Sequence, residues 1–222
     1  MRQSKLLTQI GIAHGYSSRN ESREAFLRAL GLTSQDIVMG EQVHGIRIAT
    51  VHEKDKGKTL PGIDGLVSKD IPIGVTFADC VPILAVDPQA RIVGAAHAGW
   101  KGTLAGIASA LIDEMKKLGA QGNTIYISLG PRIGMCCYNV TDDRAAAFQK
   151  QFGADEKITA RIDGQWHVDI GFANYQQLLE MGVPKDNIDA PPMCTSCQVA
   201  EFYSFRKDAK DKFGVQLGVI SL

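Results

Sequence analysis

The sequence predicts an α/β protein folded as one domain, and three observations carry that prediction. Apolar runs of strand length recur at Val81–Val86, Ile92–Ala96 and Thr124–Leu129. Between the second and the third lies a segment from about Thr103 in which Leu104, Ile107, Ala108, Leu111, Met115 and Leu118 fall three and four apart, the spacing of one apolar helix face. The chain of 222 residues, 45% of them hydrophobic, is long enough to bury one sizeable core.

Taken in order, Ile10–Tyr16 reads as a short strand ending at His14-Gly15. Asn20 is placed to cap a helix carrying Phe26, Leu27 and Leu30, which Gly31 stops. Ile37–Met39 begins another strand, His44-Gly45 is a turn, and Ile46, Ile48 and Val51 alternate as strand residues should. The charged, glycine-containing stretch Lys54–Pro61 reads as a solvent loop. Strands follow at Ile63–Val67 and Gly74–Ala78, the latter ending in Asp79-Cys80, and Val81–Val86 stops at Asp87-Pro88.

Ile92–Ala96 should be a buried strand that delivers His97 into a glycine-rich corner before the helix at about Thr103. Lys116, Lys117 and Gly119 end that helix with residues of the expected sign and type. Thr124–Leu129 runs as a strand into Gly130-Pro131-Arg132. Thr141-Asp142-Asp143 starts a helix, Asp169 to about Met181 forms another, and Val215–Leu222 closes as a strand. No repeat, low-complexity tract or linker divides the chain.

The balance of 24 basic against 24 acidic residues leaves no net charge to draw in nucleic acid or anionic lipid, which disfavours both as partners. No segment approaches the roughly 18 apolar residues of a membrane span, and the N-terminus lacks the run and cleavage site of a signal peptide. A cytoplasmic protein is expected. Five cysteines, Cys80, Cys136, Cys137, Cys194 and Cys197, then argue against a disulfide framework and for metal ligation or nucleophilic chemistry.

His44, Cys80 and His97 each end or interrupt a strand and are flanked by small residues. Two imidazoles and one thiolate suit zinc, and three protein ligands leave a fourth position open, as in a catalytic site. The same residues also fit a metal-free cysteine hydrolase with Cys80 as nucleophile and His97 or His44 as base. Beside His97, Gly99 and Gly102 permit close backbone approach, Trp100 offers a stacking face, Lys101 adds a cation, and the helix start suits an anion. Cys194 and Cys197 form a CxxC, half of a structural zinc site. The adjacent Cys136-Cys137 has the wrong spacing for a second knuckle, so structural zinc is disfavoured there. His14, His52 and His167 read as packing or surface residues, and Trp166 as core.

The segments EQVHG (Glu41–Gly45), DGLVS (Asp64–Ser68), ADC (Ala78–Cys80), HAGWKGT (His97–Thr103), GPRIGMCCYNV (Gly130–Val140) and CT followed by FYSFR (Phe202–Arg206) resemble the laccase-domain or polyphenol oxidase family. The resemblance spans the chain from His14 nearly to the C-terminus. It implies one laccase-domain-like (cytotoxic necrotizing factor-like) domain over residues 1–222, a compact α/β fold of mixed sheets flanked by helices. It implies zinc on His44, Cys80 and His97, phosphorolysis of adenosine, inosine, guanosine and methylthioadenosine, and deamination of adenosine. One bacterial branch is described as a peptidoglycan editing factor, so a cell-wall precursor is the alternative substrate. Arg19, in HGYSSR, together with Tyr138, Phe202 and Arg206, is implied as binding.

For deamination, zinc would lower the pKa of a bound water to about 7 for attack on the purine C6. For phosphorolysis, the metal, Lys101 and the helix start could hold phosphate, and Asp79 and Asp64 are candidates to transfer the proton. Departures from the family pattern are Asn139 where Glu is usual, HAGWKG for HAGWRG, and the absence of the glycine-rich loop after Arg19 and of a Gly-Arg near Phe213-Gly214. Copper-dependent phenol oxidation is disfavoured, because five histidines without an HxH pair are too few for several copper centres. A binding module without catalysis is the remaining alternative, and oligomeric state is not legible.

Overall fold

Two neighbouring strands, Val81–Asp87 and Ile92–Ala98, are buried along their whole length, and the fold is layered on either side of them. Strands covered on both faces read as unbroken apolar runs, which is the pattern these segments carry. The computed structural model describes residues 1–222. The elements are α1 (Lys5–Gln9), β1 (Ala13–Tyr16), α2 (Arg23–Ala29), β2 (Val38–Glu41), β3 (Ile48–Thr50), β4 (Thr59–Pro61), β5 (Gly65–Ser68), β6 (Ile73–Phe77), β7 (Val81–Asp87) and β8 (Ile92–Ala98). There follow α3 (Trp100–Ala105), α4 (Ile107–Lys117), β9 (Tyr126–Leu129), β10 (Asn139–Val140), α5 (Asp142–Phe152), β11 (Thr159–Ile162), β12 (Gln165–Val168), α6 (Ile170–Glu180), β13 (Ile188–Asp189) and β14 (Gln216–Ser221).

A six-stranded sheet has the order β13-β9-β7-β8-β5-β3 and a five-stranded one the order β1-β14-β6-β2-β4, each with both parallel and antiparallel pairs. The strand alternation of period two then decides which side chain enters which core. Val81, Ile83 and Ala85 of β7 and Ile92, Ala96 and Ala98 of β8 pack under α4, α5 and α6 against Ile107, Leu111, Met115, Phe148 and Leu178. Leu84, Val86, Val93 and Ala95 point the other way, onto Val38, Val75, Phe77 and Ile220 of the five-stranded sheet. On that sheet's outer face, Met39, Leu217 and Val219 are covered by Phe26 and Leu27 of α2. Each fully buried Leu or Ile in these layers contributes about 1.5–3 kcal/mol. The result is a compact α/β domain of mixed sheets flanked by helices, as the sequence predicts. The link Ala78–Cys80 crosses from β6 in one sheet to β7 in the other.

Several local expectations are corrected. The cap of α2 is Ser22, whose hydroxyl accepts from the Ala25 N–H, whereas Asn20 donates to the Ala200 carbonyl. Thr59–Pro61 is not solvent loop but an edge strand, parallel to β2. The helix expected from Thr103 begins at Trp100 and breaks in two at Gly106, which adopts φ +90°. α1 and the β11–β12 hairpin have no counterpart in the sequence reading. The hairpin turns on Asp163-Gly164, at φ 49° and 78°, the positive pair that a two-residue hairpin loop favours.

Candidate functional site

The layering brings three strand ends to one point. His44 lies in the loop after β2, Cys80 in the crossing between sheets, and His97 near the end of β8. Their ligand atoms lie within 4.8 Å of one another, and the two imidazole centroids are 4.8 Å apart at 77°. His44 adopts φ 61°, an uncommon conformation for a side-chain-bearing residue, and the reason stands beside it. Asp64, only 1% exposed, accepts from the backbone N–H groups of His44 at 2.8 Å, Gly45 at 2.8 Å and Val43 at 3.3 Å.

The same carboxylate faces the His97 Nδ1 at 3.3 Å, while the Asp64 carbonyl accepts the His97 backbone N–H at 2.8 Å. Asp64 therefore fixes both histidines, and with Nδ1 engaged the His97 Nε2 is left for a ligand. Burial pushes the Asp64 carboxyl up, yet the His97 hydrogen bond and the N–H groups of Gly45 and Val43 hold it below the usual carboxylate range. A carboxylate so occupied has the geometry of an anchor for both histidines.

Around the ionisable pair, burial and polar contact compete. Burial raises the Cys80 thiol, but hydrogen bonds from His44 and His97 outweigh it and bring it down from 9.0 to about 7. Burial disfavours the His97 imidazolium, but hydrogen bonds to Asp64 and Cys80 win and raise it to about 9. The metal-free site therefore favours a thiolate beside an imidazolium. Gly99, which caps α3, has no room for a side chain: a Cβ there would stand 2.8 Å from His44 Cδ2 and 3.1 Å from Cys80 Sγ. Two imidazoles and a thiol sulfur, held close by a preset loop, are a donor set that fits zinc.

Above these residues opens a cavity of about 740 Å³. Ile133, Tyr138 and Ile170 line it together with Trp100, Arg144, Phe205, Arg206 and Phe213. The Arg144 guanidinium lies 4.2 Å from the Trp100 ring centroid and donates to Tyr138 Oη at 3.3 Å. Arg206 lies 5.2 Å from the Tyr138 ring centroid and is steadied by the Asn139 carbonyl at 3.1 Å. An aromatic face is thus bordered by two fixed cations. Arg144 escaped the sequence reading, although an arginine in the first turn of a helix opposes the helix dipole and so asks for another reason.

The remaining expected residues divide. Tyr138 and Arg206 line the cavity; Arg19, Lys101 and Phe202 do not. Arg19 donates to the Val199 carbonyl at 2.5 Å and to Asp208 at 3.1 Å and lies 4.6 Å from the Tyr203 ring, so it ties down the C-terminal loop. Phe202 is fully buried, whereas Phe205 lines the cavity. Lys101, in the first turn of α3, is exposed, with its ammonium 5.7 Å from the Trp100 ring centroid.

Asp79 lines the cavity at φ 80°, but its oxygens accept from Thr195 Oγ1 at 2.5 Å, Ser204 Oγ at 3.1 Å and the Arg206 N–H at 2.7 Å. Its geometry is that of a tether for the C-terminal wall rather than a free base. His14 and His167 are buried and hydrogen-bonded to backbone, as expected of packing histidines. Trp166, expected in the core, is only half-buried under Arg161. A further correction concerns the cysteines: Cys136, Cys137, Cys194 and Cys197 converge, their sulfurs also within 4.8 Å of one another. No helix is long and apolar enough to cross a membrane.

Comparison with known proteins places this geometry. The chain is 37% identical over 198 residues to adenosine deaminase RL5 from an unknown prokaryotic organism, covering 84% of this chain and 76% of that protein. It is 38% identical over 180 residues to purine nucleoside phosphorylase YlmD of Geobacillus stearothermophilus, covering 76% and 66%. The crystal structure of the hypothetical protein YfiH of Bacillus licheniformis superposes with a TM-score of 0.89 at 28% identity, over 97% of this chain and 94% of that one. Residues 16–222 match the family described as multi-copper polyphenol oxidoreductase laccase, and with the fold and these relatives in agreement the chain belongs to that family.

Proposed function

We propose that residues 1–222 act as a single zinc-dependent enzyme on purine nucleosides, catalysing phosphorolysis of adenosine, inosine, guanosine and methylthioadenosine and deamination of adenosine. The observation that carries this reading is the convergence of His44, Cys80 and His97 at the floor of an aromatic, doubly cationic cavity. The names of the relatives, a deaminase and a phosphorylase, support the same substrate class. When bound, zinc supplies Lewis acidity at a coordination position that three protein ligands leave open.

The chain's own residues do the rest. A planar purine fits against the Tyr138 ring and the exposed Phe205–Phe213 pair, whose centroids are 5.6 Å apart at 84°. Arg144 and Arg206 are the cations that can hold phosphate, in place of the outward-facing Lys101. Of the two carboxylates lining the cavity, Asp79 is engaged by three donors, which leaves Glu41 to carry a proton to or from the departing group. Multi-copper oxidation finds less support, since the candidate clusters contain only two histidines between them.

The test is to incubate the zinc-loaded protein with adenosine, with and without phosphate, and with a nucleotide-linked muropeptide. Adenine with ribose 1-phosphate, or inosine with ammonia, at a specificity constant above that for the muropeptide supports the reading. Turnover of the muropeptide alone overturns it in favour of cell-wall editing. A cysteine-nucleophile reading is favoured by one observation, the Cys80 sulfur within 4.8 Å of the His97 imidazole that Asp64 orients. Metal-free protein that remains active and is inactivated by iodoacetamide at Cys80 would establish it.

A further inference from the structure

We propose that Cys136, Cys137, Cys194 and Cys197 form a second, structural zinc site that clamps the C-terminal wall of the cavity. The four sulfurs come from two turns that the backbone zips together. The Arg132 N–H donates to the Met193 carbonyl at 3.0 Å, and the Thr195 N–H returns to the Arg132 carbonyl at 3.0 Å. Cys197 Sγ then stands 3.6 Å from Cys136 Sγ and 3.4 Å from Cys137 Sγ, and all four sulfurs lie within 4.8 Å of one another. With zinc–sulfur bonds of about 2.3 Å, a tetrahedron has sulfur–sulfur edges of about 3.8 Å, so the set needs little adjustment to close on one ion.

Two details of the turn leave the sulfurs room and a donor for metal ligation. The Gly134 N–H donates to Cys194 Sγ at 3.2 Å, a bond that stabilises a negatively charged sulfur. Gly134 also leaves the space the sulfurs occupy: a Cβ there would lie 3.3 Å from Cys136 Sγ and 3.4 Å from Cys194 Cβ. The spacing of Cys136-Cys137 argues against a knuckle only if the pair sits in one. In an irregular turn, whose Cys137 and Tyr138 N–H groups both point back to the Gly134 carbonyl, neighbouring side chains need not diverge.

The position of the cluster suggests its use. Thr195, between two of the ligands, donates to Asp79, which directly precedes Cys80. Farther along the same segment, Phe205 and Arg206 reach the cavity. Holding Cys194 and Cys197 to the Cys136-Cys137 turn therefore holds the wall that those residues form.

Zinc content of the full chain, purified from zinc-supplemented cells under reducing conditions, tests the idea. The Cys136→Ser/Cys197→Ser variant should lose one equivalent relative to wild type, and His44→Ala should not lose that equivalent. Because the two variants address different clusters, failure here is distinguishable from failure of the nucleoside-site reading. With cobalt in place of zinc, the thiolate charge-transfer absorption should drop to the share of the single Cys80 sulfur in the double serine variant and keep the four-sulfur share in His44→Ala.

Should the double variant not fold, thiol titration of wild type serves instead. The exposed Cys136 and Cys197 should resist a disulfide reagent until a chelator releases zinc. Unchanged zinc content in a folded double variant, immediate reaction of those thiols in zinc-loaded wild type, or a Cys197 disulfide to Cys136 or Cys137 in freshly purified protein would overturn the proposal.

Discussion

Asp64 faces the Nδ1 of His97 across 3.3 Å while its two oxygens also receive three consecutive N–H groups of the His44 loop, so one buried carboxylate sets the positions of two candidate ligands. Asp64→Asn keeps the shape but removes the charge. Zinc affinity should fall about 10–100-fold, the range for a lost partner of a ligating histidine. Stability should fall by about 1–3 kcal/mol as donors lose a charged acceptor. Metal-competition titration and urea denaturation read the two effects separately.

Acid should act on the same residue. Its folded pKa lies below its unfolded value, so its contribution to stability is present above the unfolded pKa and fades as pH falls through the folded one. The wild type should thus lose stability below about pH 4, near the ordinary carboxylate value. Asp64→Asn should lose less over the same interval in denaturation curves taken at stepped pH.

In chelator-treated protein, Cys80 at about 7 and His97 at about 9 define a window in which thiolate and imidazolium coexist. The depressed thiol contributes stability fully above its unfolded value of 9.0 and loses it as pH falls through about 7. The raised imidazole contributes fully below 6.5 and loses it as pH rises through about 9. Alkylation of Cys80, followed by peptide mass spectrometry, should show its half-maximal rate near pH 7. Zinc should suppress it, and a midpoint at the ordinary thiol value would contradict the geometry.

Arg144→Ala and Arg206→Ala should each raise the KM for phosphate by about tenfold to a hundredfold, since a charge-assisted hydrogen bond contributes about 1.5–3 kcal/mol. Lys101→Ala should change it little, because Lys101 faces outward. Initial-rate measurements over a phosphate series compare the three.

Gly99→Ala isolates the metal cradle from the fold. Its φ of −76° suits alanine, so the backbone tolerates the change, but the added methyl would press on His44 Cδ2 and Cys80 Sγ. Loss of bound zinc with a near-normal circular dichroism spectrum is expected.

What the sequence makes legible is whatever periodicity and strand ends encode. His97 and Cys80 could be placed because unbroken apolar runs lead to or from them, and α6 because Asp169 caps a clear apolar pattern. Phe202 and Phe205 could not be sorted, since an irregular turn has no period to say which aromatic faces inward. The contacts of Arg19 are not legible because its partners lie on a loop some 180 residues away. The convergence of Cys136-Cys137 on Cys194 and Cys197 is out of reach for a related reason: spacing rules presume a local shape, and here tertiary packing sets it. The hairpin at Asp163-Gly164, by contrast, rests on a local signal, an Asp-Gly pair with positive φ at both residues.

The three strand ends do not belong to one sheet. His44 follows a strand of the five-stranded layer, His97 ends one of the six-stranded layer, and Cys80 sits on the connector between them. An occupant gripping all three would lock the layers against sliding, so heat resistance should climb with the concentration of free zinc. Catalytic readiness and mechanical integrity would then share a single fastening.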